Sequence, residues 1–75
     1  MNYVSLIDYS RIKGRIIEKY CTNQAFSDAM GWSLGTNGKK TTGKAAWSQD
    51  EIFRACDLLS IEHAEILLYF FTLKC

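Results

Sequence analysis

Residues 22–44 read Thr22-Asn-Gln-Ala-Phe-Ser-Asp-Ala-Met-Gly-Trp-Ser-Leu-Gly-Thr-Asn-Gly-Lys-Lys-Thr-Thr-Gly-Lys44. Thr22 or Asn23 supplies an N-cap oxygen for a short helix over 23–30. Phe26, Ala29 and Met30 form its apolar face, with Ala25 beside them. Gly31 follows at once, where a left-handed residue ends a helix. Trp32 is apolar and expected in the core, and Ser33 is a fresh N-cap. After it, Leu34 to Lys44 holds three glycines, three threonines and an asparagine. Glycine, threonine and asparagine are poor helix formers, so read alone this stretch is a basic, flexible loop.

Upstream, Asp8 or Ser10 can cap a first helix over 9–21. Ile12, Ile16 and Tyr20 recur every four residues, with Ile17 widening the stripe. Arg11, Arg15 and Lys19 fall on the polar side, and Gly14 is a candidate for close helix packing. Downstream, Ser48-Gln49-Asp50-Glu51 is a capping box opening a helix over about 49–59. Ile52, Ala55, Cys56 and Leu59 line its inner face, with Phe53 and Leu58 at the edges. Ser60 reads as the cap of a final turn or helix, with Glu62 in its first turn and His63 exposed near its start. The tail, Ile66 to Phe71, is apolar on every side. Its Tyr69-Phe70-Phe71 favours a strand, which could pair with Tyr3–Ile7 at the other end. Phe26, Met30, Trp47, Ile52 and Leu59 are the expected core.

The chain has 75 residues, 48% of them hydrophobic and 23% charged. One domain, 1–75, accommodates that length, with no room for a large catalytic cleft. The longest apolar run is far short of the roughly 18 residues a membrane span needs. Met1 to Val4 lacks the basic-then-apolar pattern of a signal peptide, so a cytoplasmic location is expected. Between Arg11 and Lys44, seven basic residues face two acidic ones, a balance of +5. From Ala45 to Cys75, two basic residues face five acidic ones, a balance of −3. A basic first half suits a polyanion, and an acidic second half does not.

Cys21, Cys56 and Cys75 are widely spaced, and His63 is the single histidine. No structural zinc pattern or nucleophile–base motif emerges, so neither metal, cofactor nor catalysis is expected. Cys56 reads as a small core residue. Gly38-Lys39-Lys40-Thr41 imitates the end of a phosphate-binding loop, but Ser33 stands where its first glycine belongs.

Lys13-Gly14-Arg15-Ile16, Phe26-Ser27-Asp28-Ala29-Met30-Gly31, Trp47-Ser48-Gln49-Asp50-Glu51-Ile52 and Tyr69-Phe70-Phe71 occur in one order over nearly the whole chain. In motif order and spacing the sequence resembles small phage-type Cro/repressor helix-turn-helix proteins. The resemblance implies a mainly α domain of four or five short helices, with at most a minor two-stranded element between the termini. It implies a DNA-binding transcriptional regulator in a bacterial host's cytoplasm, acting as a homodimer on a double-stranded operator. Helix 23–30 would cross the backbone and helix 33–44 would lie in the major groove. Ser33, Leu34, Thr36, Asn37, Lys39 and Lys40 would then contact the groove, and Arg15, Gln24 and Lys44 the phosphates.

Two departures from the pattern shape the alternative. Asn37, with Thr41 or Lys40, stands where the family usually anchors this helix with apolar side chains. Leu34 and Gly35 stand where long polar base readers are usual. The alternative is therefore a protein-interaction module that keeps the helix-turn-helix shell, such as an antirepressor that binds a phage repressor.

Overall fold

The computed structural model describes residues 6–74. Five helices follow one another: α1 (Ser10–Tyr20), α2 (Asn23–Met30), α3 (Leu34–Thr41), α4 (Gln49–Leu59) and α5 (Ile66–Phe70), with a 3₁₀ turn at His63–Glu65 before the last. The caps explain most of the boundaries. Thr22 Oγ1 accepts from the Ala25 amide at 3.1 Å, and Ser33 Oγ accepts from the Thr36 amide at 3.0 Å. At Ser48 the capping box is complete: Ser48 Oγ accepts from the Glu51 amide, and Glu51 Oε1 accepts from the Ser48 amide. Asp8 Oδ1 accepts from the Ser10 amide, holding the entry to α1.

Helix ends are closed in two ways. Gly31 takes φ +81°, and Ser60, the C-cap of α4, takes φ +56°. Ser60 thus terminates α4 instead of starting the next helix. Two arginines then reach across the fold to carbonyls at helix C-termini, which have no intrahelical donor. Arg15 Nε donates to Leu59 O at 2.8 Å and Arg15 Nη2 to Ser60 O at 3.2 Å. Arg54 Nη1 donates to Met30 O at 3.2 Å.

The core sits between α1, α2, α4 and α5. Ile12, Ile16, Phe26, Met30, Ala55, Cys56, Leu59, Ile61 and Phe70 are buried in one cluster. Trp32, Trp47, Ile52 and Tyr20 pack against it, partly buried. Ile17 does not join them and is 48% exposed. Edge-to-face aromatic contacts run Tyr20–Phe26–Trp32–Trp47–Phe70, with centroids 5.0–6.5 Å apart. Such pairs add about 0.5–1.5 kcal/mol each beyond area burial.

The tail is helical, not extended. Phe70 points fully inward on α5, and a single turn of helix buries it while leaving Leu67 in solvent. The aromatic preference for strands gives way to this packing. Of the expected pairing of the termini, the described residues show one antiparallel bridge, Ile7 with Leu73. Asp8 N–H donates to Thr72 O at 2.6 Å and Lys74 N–H to Leu6 O at 2.8 Å. Tyr3, Val4 and Ser5 of the expected strand, and Cys75, lie outside the described residues. Among the described residues, no helix is long and apolar enough to cross a membrane.

Gly14 and Gly38 are exposed, and a Cβ built on either meets nothing within 4 Å. Close packing therefore does not explain Gly14. Glycine in a helix interior costs about 0.8–1 kcal/mol relative to alanine. Gly38→Ala is expected to stabilise the fold by about 0.5–1 kcal/mol. Gly31→Ala, at positive φ, is expected to destabilise it by at least about 1 kcal/mol. Urea unfolding midpoints of the two variants should move in opposite directions. A lowered midpoint for Gly38→Ala would contradict the open surface at that position.

Candidate functional site

The segment between Ser33 and Lys44 was the weakest helix in the sequence, and it is the element whose surface decides the chemistry. It is helical over Leu34–Thr41, three residues short of the expected end. Polar side chains anchor it. Asn37 is 2% exposed and Thr41 5%. Thr41 Oγ1 returns a hydrogen bond to Asn37 O at 2.9 Å. Asn37 Nδ2 lies 3.5 Å from Asn23 Oδ1, while Asn37 Oδ1 is buried with no partner among the described residues.

Lys40 ties the end of α3 to the start of α4. Its ammonium donates to Glu51 Oε1 at 2.7 Å and to Ala46 O. It also lies 5.7 Å from the centre of the Trp32 ring, within cation–π range. In return, the Trp47 indole N–H donates to Lys40 O at 3.0 Å. Glu51 therefore serves two partners, Lys40 and the Ser48 amide. Burial acts to raise its carboxyl pKa, but the Lys40 and Ser48 hydrogen bonds outweigh it and hold the group below its ordinary value.

The residues expected at a groove or at phosphates thus divide. Asn37 is in the interior, and Lys40 is engaged within the fold. Ser33 Oγ accepts from the Thr36 amide and donates to Thr36 Oγ1. Leu34 is 48% exposed and apolar. Lys39 and Lys44 are exposed and in no ion pair among the described residues. Of the phosphate candidates, Arg15 clamps the end of α4 and pairs with Glu18, and Gln24 Nε2 donates to Asp28 Oδ1 at 2.9 Å. The outward side of α3 is left with Leu34, Gly35, Gly38 and Lys39.

A second surface lies on α4. Asp50, Phe53 and Asp57, spaced three and four residues apart, are all exposed along it. Glu62 and His63 follow in the next turn, and the Phe53 and His63 rings meet edge to face at 5.3 Å. This acidic face with an aromatic centre escaped the sequence reading, which placed Phe53 at the edge of the buried side. The signal was present: Asp50, Phe53 and Asp57 recur at helical spacing out of phase with Ile52, Ala55, Cys56 and Leu59. Among the described residues, no group of three or more metal-ligating side chains gathers at either surface.

A family model described as protein of unknown function (DUF739) matches residues 4–73. Among solved structures, the solution structure of the modulator of repression (MOR) of the temperate bacteriophage TP901-1 from Lactococcus lactis is similar, with a TM-score of 0.77 and 39% sequence identity. The match covers 88% of this chain and 89% of that one. No curated protein matches the chain.

The Lys40–Glu51 tie predicts an acid-sensitive fold. Because Glu51 is more acidic folded than unfolded, its stabilisation is complete above the ordinary value of 4.5 and is lost as pH falls through the depressed one. Glu51→Gln is expected to lower the melting temperature at neutral pH and to flatten its dependence on pH below about 4.5. Thermal melts between about pH 3 and 7 test this. An unchanged acid-side slope in the variant would show that the tie contributes nothing.

Proposed function

The chain belongs to the family described as protein of unknown function (DUF739), and on that premise we propose that it is a non-enzymatic phage regulator that docks on another regulatory protein, a phage repressor, rather than reading operator bases. The observation that carries this reading is the outward side of α3. Direct readout needs side chains that present donors or acceptors to base edges. Here Leu34, Gly35 and Gly38 offer none, Asn37 is buried, and the Lys40 ammonium is held by Glu51 and Ala46 O, which leaves Lys39 as the exposed charged donor on that side. A similar protein, 39% identical, is a modulator of repression by its name. The acidic face of α4 favours a basic partner surface, and the surface with which a repressor grips DNA is basic. Phe53 would supply the apolar anchor at its centre.

Exposed Lys39 and Lys44 favour a second reading, direct DNA binding with phosphates as the main contacts and α3 lying against the groove through Ser33, Leu34 and Thr36. The two readings separate in one pair of titrations. The labelled chain is titrated with a repressor from the same phage genome and, separately, with a random DNA duplex at several salt concentrations. The proposal expects saturable binding to the repressor, weakened at least about tenfold by Asp50→Lys with Asp57→Lys, and no duplex binding at about 10⁻⁴ M. Duplex affinity of about 10⁻⁴–10⁻⁶ M that falls with salt and drops with Lys39→Ala and Lys44→Ala, with no binding to the repressor, would overturn it in favour of the second reading.

A further inference from the structure

Nothing in the fold accounts for Gly14. It lies inside α1 with an ordinary helical backbone, where glycine weakens a helix relative to alanine. It is also the floor of a cleft of about 280 Å³ whose walls are Arg11, Arg15, Glu18 and Tyr69. A side chain at position 14 would meet no neighbour and would take up that open space. Two of the three charges at the cleft cancel. Arg15 Nη1 pairs with Glu18, while Arg15 Nε and Nη2 donate to Leu59 O and Ser60 O. Arg11 is exposed and makes no ion pair among the described residues. The cleft is continuous with the acidic face of α4. Ser60, whose carbonyl takes Arg15 Nη2, lines a second hollow of about 430 Å³ with Asp57, Glu62 and His63. Arg15 thus joins the two hollows, and Arg11 stands one helical turn before it.

We propose that this cleft receives a carboxylate side chain of the repressor, which Arg11 pairs with and for which Gly14 leaves room against α1. The inference rests on the docking reading above and names a determinant of partner choice within it. Continuity selects the occupant: a repressor seated on Phe53, Asp57 and Glu62 reaches across Ser60 to the cleft. Charge selects the chemistry. A guanidinium at the edge of an acidic docking face repels the basic surface that the face attracts, unless an acidic residue stands opposite it. Arginine meets a carboxylate through two parallel N–H bonds, so the pair fixes orientation as well as adding attraction. It sets the register of the complex and disfavours a repressor that carries a basic residue at that point. Gly14 is what the approach requires, because a side chain there fills the floor on which the carboxylate rests.

The affinity of the full chain for a repressor from the same phage genome, measured by fluorescence anisotropy at fixed salt, reads the outcome, and the sign of the effect decides. Arg11→Gln is expected to weaken binding about three- to tenfold, although it makes the chain more acidic. Lys13→Gln removes the same charge from a different cleft and is expected to leave binding unchanged or tighten it. Gly14→Gln is expected to raise the urea midpoint, since glutamine is the better helix former, and yet to weaken binding at least about tenfold. Unchanged or tighter binding by Arg11→Gln overturns the inference and leaves the docking reading standing. So does unchanged binding by Gly14→Gln, or a loss in Lys13→Gln equal to that in Arg11→Gln. Failure of the wild type to bind the repressor overturns both. If Arg11→Gln weakens binding to a random DNA duplex and leaves the repressor unaffected, the cleft belongs to a phosphate and the inference falls.

Discussion

Lys40 and Glu51 hold together a helix that its own residues would not form. Leu34 to Thr41 contains two glycines, two threonines and an asparagine in eight positions. Each residue of that kind costs about 0.5–1 kcal/mol of helix stability relative to alanine, and an isolated helix of this length is marginal even with good formers. Tertiary contacts make up the difference. Ser33 closes the first turn, Thr41 and Asn37 are drawn inside, and Lys40 closes the last turn against Glu51, Ala46 O and the Trp32 ring. Because Glu51 also completes the capping box of α4, one carboxylate sets both the end of α3 and the start of α4.

The aromatic row beneath this tie turns a local contact into a global one. Trp32 and Trp47 sit edge to face, with Trp47 against Phe70 of α5 and Trp32 against Phe26 of α2. The Lys40 ammonium beside the Trp32 ring thus sits on a continuous row of packed rings that ends at Phe70 of α5. Among the described residues the arrangement leaves two buried groups without protein partners, Trp32 Nε1 and Asn37 Oδ1. A buried polar atom left unpaired costs about 1–3 kcal/mol, a large fraction of the stability of so short a chain.

The same constraint shapes the surface. Anchoring α3 with Asn37, Thr41 and Lys40 removes polar groups from the side that would face a groove, and the positions that stay outside are Leu34, Gly35, Gly38 and Lys39. Arg15, one of the seven basic residues of the first half, closes the C-terminus of α4, and Arg54 of the acidic half closes that of α2. The net +5 of the segment from Arg11 to Lys44 overstates the charge free to meet a phosphate. The acidic residues of α4 make no such contacts apart from Glu51: Asp50 and Asp57 stay in solvent on either side of Phe53.

What the sequence alone determined are the features written in short-range chemistry. The N-caps at Thr22, Ser33 and Ser48, the left-handed turn at Gly31, and the inward stripes of α1, α2 and α4, except for Ile17 and Ala29, which are exposed, each depend on residues within four positions of one another, and helix geometry reads them directly. Only the tertiary structure decided the rest. It made α5 a helix, because burying Phe70 outweighs the strand preference of Tyr69-Phe70-Phe71, and it moved Ser60 from the start of one helix to the end of another. It also decided which cations are free. Lys39 and Lys40 are adjacent and chemically identical, yet one faces solvent and the other meets a carboxylate eleven residues on. The partner of a long, flexible side chain is set by which helix lies across from it, and nothing in the spacing of the sequence encodes that distance.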